Sequence, residues 1–337
     1  MRMTSLAVAV VGSLRDLGMP RAGETVVLAL SGGADSVALL DALAEAGRRQ
    51  GFGVVAAHLD HGLRPDSALD AEFCRNLCAR LGVPLRVGSA DVRGRAVHDR
   101  AGLEAAAREE RYAFLRRVAE SEAAAAIAVA HTRDDQAETF LLRLLRGAGS
   151  AGLGAMRART GNLIRPLLAV GRREVLEHLR ARGLEWREDT TNAELRFARN
   201  RVRHELLPYL EKHFNPGIRA TLAREAALLA EDHERLAESA ADVYRQSARR
   251  SGEGVLLDRD ALRRAPRPLA RQLVRAALHE AGGLAQVKAV HVVTILDVSE
   301  RAGRSGRRLP LPGGREAVFR FGQVRIGARA ETKEARP

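Results

Sequence analysis

The 337-residue chain has only three lysines (Lys212, Lys288 and Lys333), two cysteines and 4% aromatic residues. Each scarcity excludes something. With no lysine near a glycine-rich turn, the chain lacks the GxxxxGK[ST] loop, whose lysine reaches a nucleotide's outer phosphates. Cys74 and Cys78 lie four apart in DAEFCRNLCARLG, a helical pattern that puts them on one face. They form no CxxC and have no second pair to complete a zinc or iron–sulfur site, so they read as buried thiols. Few aromatics leave base stacking to arginine or to one or two rings, and neither Trp186 nor Phe197 stands out for it. No apolar run is long enough to span a membrane, and the first ten residues show no signal or transit pattern, so the expected compartment is the cytoplasm.

Arginine, by contrast, is abundant. Lys and Arg total 55 against 42 acids, a net charge of +13. Guanidinium groups pair with phosphates and stack on bases, so a polyanionic partner is expected, with solvated surface charge as the alternative. At this length, and with 46% hydrophobic residues, the chain exceeds one ordinary core and predicts two or three globular domains.

Residues 26–36, VVLALSGGADS, run an apolar strand into a diglycine turn and then a helical pattern. Gly32 and Gly33 permit a tight turn that presents backbone N–H groups to an anion at a helix N-terminus. Ser31 and Ser36 add hydroxyls. Asp35 is a carboxylate where polyphosphate alone would repel it, which predicts a bridging Mg²⁺. The SGGxDS form resembles the pyrophosphate loop of N-type ATP pyrophosphatases, with Ala34 at the variable position.

Strand-like and helical runs then alternate: VVAAHLD, a helix around Cys74, PLRVGSADV, a helix from about Gly102, AAIAVAH, and a helix from Asp134. This repetition predicts an α/β fold with a parallel sheet and ligands at the carboxyl ends of its strands. Residues 147–165 read as a long loop, with no further β–α units beyond it, and about 172–182 as a helix. Asn215-Pro216-Gly217 predicts a boundary between a catalytic domain, 1–215, and a smaller, mostly helical one, 216–329, ending in a short hairpin, with 330–337 a frayed tail.

Three acids, Asp134, Asp135 and Glu138, crowd the start of one helix beside His131. An N-cap accounts for one of them; together they suit Mg²⁺ binding, general-base work, or both. His58, Asp60, His61 and Arg64 follow the second strand, where a base or ribose lies in this topology. Glu104, Arg108 and Arg111 share a helix face, as a surface ion pair or as ligands for ATP phosphates or RNA. Arg196, Arg199, Arg201 and Arg203 crowd into eight residues and predict an electrostatic footprint for RNA.

SGGADS, HLDHGLRPDS, GLEAAAREERYAFL, AHTRDDQAETFLLRLLRGAGSAGLGAM, RPLL, WREDTTN and RNRVRHELLP stand in the order found in the tRNA(Ile)-lysidine synthase family, and the chain resembles its shorter form. The resemblance implies an adenine-nucleotide alpha-hydrolase-like (PP-loop) domain followed by a tRNA-binding domain. It also implies a ligase that uses ATP and Mg²⁺ to adenylate the wobble cytidine of the CAU anticodon of tRNA(Ile). Free L-lysine is then joined to C2, and AMP and pyrophosphate are released. Carried onto this sequence, Ser31, Gly32, Gly33, Ala34, Asp35, Ser36, His58, His61 and His131 bind the nucleotide, and Asp35 and Asp135 hold Mg²⁺. Asp35, Asp134, Asp135 and Arg108 are the catalytic candidates, with Asp134 or Asp135 as the base. Arg111, Arg199, Arg201 and Arg203 face the tRNA. Homodimerisation stays open.

Overall fold

Val26, Val27 and Leu28 in β1 (Thr25–Ala29) are fully buried, so this strand needs cover on both faces. A parallel sheet sheathed by helices supplies it. The computed structural model describes residues 3–60, 62, 67–90, 103–188, 194–252, 254–284, 286–301 and 306–329. His61, Arg64 and the tail 330–337 lie outside the described residues. The chain divides into two units, residues 1–146 with 155–227, and residues 147–154 with 228–337.

In the first unit α1 (Ser5–Asp16) precedes β1, and then come α2 (Ala34–Gln50), β2 (Gly53–Asp60), α3 (Ser67–Leu81), β3 (Leu85–Ser89), α4 (Leu103–Ser121), β4 (Ala126–Ala128) and α5 (Arg133–Leu145). Val26 of β1 lies opposite Val54 of β2 on one side and Ala126 of β4 on the other, both in parallel. The chain thus steps outward from β1 to β3, then returns to place β4 against β1's free edge. That reversal opens a crevice at the carboxyl ends of β1 and β4, the usual ligand position in such sheets. SGGADS follows β1 and HTRDDQ follows β4, so the topology brings the two motifs to one edge.

Residues 147–165 differ from the loop predicted for them. They hold α6 (Ser150–Leu153), which falls in the second unit, and a hairpin of β5 (Arg159–Thr160) and β6 (Leu163–Ile164). β6 adds to the sheet parallel to β4, giving the order β3-β2-β1-β4-β6-β5. Two-residue strands are too short to show a period of two in the sequence.

Alternation along β1 divides the core. Val26 and Leu28 pack with Leu39, Leu40 and Leu43 of α2 and with both cysteines, while Val27 packs with Phe114, Leu115 and Val118 of α4. Each fully buried leucine contributes about 2 kcal/mol. Helix α2 is buried along most of its length, and its one interior charge, Asp41, is fully enclosed. Asp41 accepts from His178 Nε2 at 2.9 Å and from Arg182 Nε and Nη2 at 2.9 and 3.0 Å. These bonds fasten α7 (Arg172–Ala181) to α2. Burial pushes the Asp41 carboxyl up, but the His178 and Arg182 donors outweigh it and hold it at about 2. The first unit ends with α8 (Ala198–Arg201), a π-helical segment (Val202–Leu206), α9 (Leu207–His213) and the start of α10 (Ile218–Ser247).

The second unit holds the rest of α10, then β7 (Ala248–Ser251), β8 (Gly254–Asp258), α11 (Arg259–Arg264), α12 (Arg267–Glu280), α13 (Ala289–Glu300), β9 (Arg308–Leu311), β10 (Arg315–Arg320) and β11 (Gln323–Ala328). Instead of one hairpin it contains a five-stranded antiparallel sheet, β7-β8-β11-β10-β9. The charged ARRS and the short apolar GVLLD carry no strand periodicity, so the sequence does not mark them as strands. Two arginines here act as internal caps. Buried Arg259 donates to the carbonyls of Val298, Ser299 and Arg301 at the end of α13, and buried Arg315 to those of Leu278 in the last turn of α12 and Gly283 just beyond it.

Asp41→Ala is expected to lower the unfolding free energy by about 3–5 kcal/mol at pH 7, because buried partners are left unpaired. Since the folded pKa lies below the unfolded one, this contribution is complete above about pH 4 and is lost as pH falls toward 2. Urea unfolding at pH 7 and pH 3 should show the gap between parent and variant narrowing at pH 3; a constant gap contradicts the assignment.

Candidate active site

The turn after β1 is closed by its own hydroxyls. Ser36 Oγ donates to the Gly33 carbonyl at 2.9 Å and accepts from the Ser31 N–H at 3.3 Å, and Ser31 Oγ accepts from the Gly33 N–H at 3.4 Å. Gly32 sits at φ +84°, where a side chain would be strained, and its carbonyl accepts from the Arg187 N–H at 2.9 Å. Helix α2 opens at Ala34 behind Gly33, with no side-chain cap. First-turn N–H groups without such a cap, at the positive end of a long helix, form an anion site.

The start of α5 is held quite differently. Thr132 is the N-cap, and Asp135 Oδ2 accepts from its N–H at 2.9 Å and its hydroxyl at 3.0 Å, completing a capping box. Asp135 Oδ1 accepts from Arg199 Nη2 at 2.8 Å and Arg203 Nη2 at 3.2 Å. One turn along, the fully buried Glu138 accepts from Arg199 Nε at 2.8 Å and from Arg203 through Nε at 2.5 Å and Nη2 at 3.0 Å. Asp134 turns the other way, accepting from the Arg172 N–H at 2.8 Å and from Arg219 Nη1 at 3.1 Å.

Arg172 joins the two motifs. Its side chain lies on Asp35 Oδ2 while its backbone holds Asp134. Asp35 Oδ1 is buried without a partner. Burial pushes the Asp35 carboxyl up to about 6, with Arg172 opposing and the Asp135 charge reinforcing. Asp135 moves the other way: burial favours its neutral form, but Arg199, the Thr132 N–H, His131 and Arg203 together hold it below the usual carboxylate range. Burial pushes His131 down to about 4, Asp135 opposing and Arg165, Arg199 and Arg108 adding to the shift, so the ring is neutral at pH 7 and its Nδ1 has no partner. His58 is buried, with Nδ1 2.9 Å from the Leu30 carbonyl and 3.5 Å from Cys74 Sγ. The carbonyl assigns the proton to Nδ1 and leaves Nε2, which has no partner, as an acceptor. Burial pushes the thiols of Cys74 and Cys78 up to about 12 and about 11, so neither is a thiolate at neutral pH.

The structure therefore gathers Ser31, Gly32, Gly33, Ala34, Asp35, Ser36, Asp134, Asp135 and His131 at the β1–β4 crevice. Arg108 lies with its guanidinium 4.9 Å from the Tyr112 ring centroid, and its charge reaches His131. Arg111 is exposed on α4. Arg201 is exposed and donates to the carbonyls of Leu195 and Arg196 at 3.0 and 3.2 Å. His61, expected beside the nucleotide, is among the residues not described. Arg199 and Arg203, expected as part of a footprint for RNA, have their guanidinium groups paired with Asp135 and Glu138 while their side chains stay 41% and 33% exposed. Glu138, expected to join Asp134 and Asp135 in metal or base chemistry, is instead taken up by Arg199 and Arg203, while Arg172, Arg165 and Arg219 are additions that the sequence does not single out. Glu138's place three residues after Asp135 was a usable signal; the arginines carried none.

A glycine turn feeding a helix without a side-chain cap at the switch point of a parallel sheet defines a nucleotide-binding domain of the PP-loop class, and the PP-loop domain family model matches residues 7–210. The model of the TilS substrate binding domain matches residues 257–324. A tRNA(Ile)-lysidine synthase from Thermobifida fusca is 40% identical over 324 residues, covering 94% of each chain. One from Geobacter sulfurreducens is 43% identical over 300 residues, 88% of this chain and 63% of its own length. The chain belongs to the tRNA(Ile)-lysidine synthase family. It spans just under two thirds of the Geobacter relative and of a Dehalococcoides mccartyi one, of which it covers 65%. Among solved structures, the U34-tRNA thiolase NcsA from Methanococcus maripaludis, determined with its [4Fe-4S] cluster, superposes with TM-score 0.56 at 20% identity, over 67% of this chain and 78% of that one. That likeness shows the shared fold.

Asp35 provides a pH test of the site. A folded pKa of about 6 against an ordinary 3.8 means that its contribution to stability is fully present below about pH 4 and is lost as pH rises through 6. Asp35→Asn should raise the melting temperature at pH 8 by about 2–4 °C, about 1 kcal/mol once partial solvent exposure is allowed for, and leave it unchanged at pH 4. Calorimetry showing the same shift at both pH values contradicts this picture.

Proposed function

We propose that the protein ligates lysine to C2 of the wobble cytidine of the CAU anticodon of tRNA(Ile), through an adenylated cytidine, with release of AMP and pyrophosphate. The observation that carries the reading is Arg172, which ties the turn after β1 to the acids after β4, so that a phosphate-binding element and a proton-accepting element share one crevice. Membership of the family supplies the substrate class.

In this reading cytosine O2 attacks the α-phosphate of ATP, and the N–H groups and hydroxyls of residues 31–36 take the departing pyrophosphate. Residues fit a magnesium ion modestly. The buried, unpartnered Asp35 Oδ1 is the available oxygen, whereas each oxygen of Asp135 already carries two hydrogen bonds. Among the described residues no cluster of three or more ligating side chains forms; an Mg²⁺ here would be held by Asp35 and by phosphate oxygens. When bound there, Mg²⁺ offsets phosphate charge. The neutral His131, together with His58, is set to contact base or ribose.

In the second step lysine's amine must lose a proton before attacking C2, and AMP leaves. In this reading the acceptor is Asp134 or Asp135 at the start of α5, and Asp135, whose oxygens accept four hydrogen bonds, must give one up to take the proton. The net charge of +13 and the second unit's match to a substrate-binding domain support tRNA as the partner. Among the described residues no helix is long and apolar enough to cross a membrane; the cytoplasm, where tRNA is modified, is the proposed location.

The decisive assay is incubation with ATP, radiolabelled lysine and a tRNA(Ile) transcript. Label should become fixed to RNA only with all three present and not to a transcript carrying uridine at the wobble position. Asp35→Ala and Asp135→Ala should each lower the rate about 100-fold or more. Parental rates in both variants, or transfer of sulfur in place of lysine, contradict the proposal.

A further inference from the structure

In a chain with 4% aromatic residues, α9 and its C-cap residue expose two large rings, Tyr209 at 55% and Phe214 at 70%. Tyr209 and His213 lie four apart on one face of α9, with ring centroids 4.7 Å apart and planes 36° apart. Phe214 follows, its centroid 5.9 Å from that of Tyr209. Lys212, one of only three lysines, stands exposed within the group. The backbone beneath is firm. Phe214 N–H donates to the Leu210 carbonyl at 3.0 Å, and the Asn215 side chain accepts from the Gly217 N–H at 2.8 Å.

The same short helix is bolted to the active site. Glu211 accepts from Arg219 at 2.8 and 3.3 Å, and Arg219 donates onward to Asp134 at 3.1 Å. Glu211 lies about 200° around the helix from both Tyr209 and His213, so the acid faces inward while those rings face solvent.

We propose that Tyr209, His213 and Phe214 form a stacking platform for an unpaired nucleobase of the RNA substrate. This rests on the tRNA reading above. Every base has a π-face, so rings held rigidly beside a cation suit single-stranded RNA. Three side chains cover far less than the roughly 800 Å² per partner of a stable protein interface, which argues against a second protein chain.

The test measures dissociation constants for the tRNA(Ile) transcript at two salt concentrations, with ATP affinity alongside. Tyr209→Ala and Phe214→Ala should each weaken RNA binding about 5- to 100-fold. The salt slope and ATP affinity should stay at parental values, because no phosphate contact is lost. Tyr209→Phe keeps the ring and should bind within twofold of the parent. Tyr209→Leu keeps apolar bulk without a π-face, is expected to preserve the fold, and should bind as weakly as the alanine variant. Leucine or alanine variants that bind RNA as the parent does overturn the platform, as does Tyr209→Phe losing as much as Tyr209→Ala. Failure of the parent to bind or modify the transcript counts against the lysine-ligation reading instead, so the two failures are distinguishable.

Discussion

Like charges crowded at one helix end repel each other, and the site stands only because guanidinium groups answer them. Arg199 and Arg203 lie four residues apart, Asp135 and Glu138 three apart, so one face of the α8 and π-helical stretch meets one face of α5. Glu138 has no access to solvent and so depends on those partners. Stripping a partner from a buried ion costs about 3–5 kcal/mol, several times an exposed pair's worth. Part of the chain's arginine excess therefore serves the interior, in this cluster and in Arg259 and Arg315 of the second unit. The π-helical turn that carries Arg203 belongs to a rare class of helix found mostly at functional sites.

From that constraint the chemistry divides. Asp35 and Asp135 are close enough for their charges to interact, yet burial with one guanidinium raises the first, while two guanidiniums and an N-cap lower the second. Two carboxyls pushed in opposite directions can take different roles at one pH. Arg172 sits at the join. Its own helix is fixed from behind by Asp41, so the buried bonds to His178 and Arg182 set where the guanidinium and N–H at the front of α7 fall. A packing feature midway along α2 thereby reaches the reacting groups.

The parallel β–α repetition and the two strand-end motifs were legible because each rests on local order: an apolar run, a turn residue, a helix start. Gly32 announces its positive φ by lacking a side chain, and Asp134 and Asp135 announce a helix N-terminus. Pairings such as Arg203 with Glu138 or Arg172 with Asp35 join residues 65 and 137 positions apart and leave no periodic trace. Spacing in the basic run around residue 200 cannot show that two of its arginines place their guanidinium groups on Asp135 and Glu138. The β5–β6 hairpin and the second unit's sheet were hidden for a simpler reason: their strands are short, or charged on exposed faces.

The pairing of those arginines with Asp135 and Glu138 is the central claim, and a double-mutant cycle between Glu138→Gln and Arg203→Ala, read by urea unfolding at pH 7, tests it most directly. The structure predicts a coupling of about 1.5 kcal/mol or more, as for residues sharing a buried network; single effects that add to within about 0.5 kcal/mol contradict it.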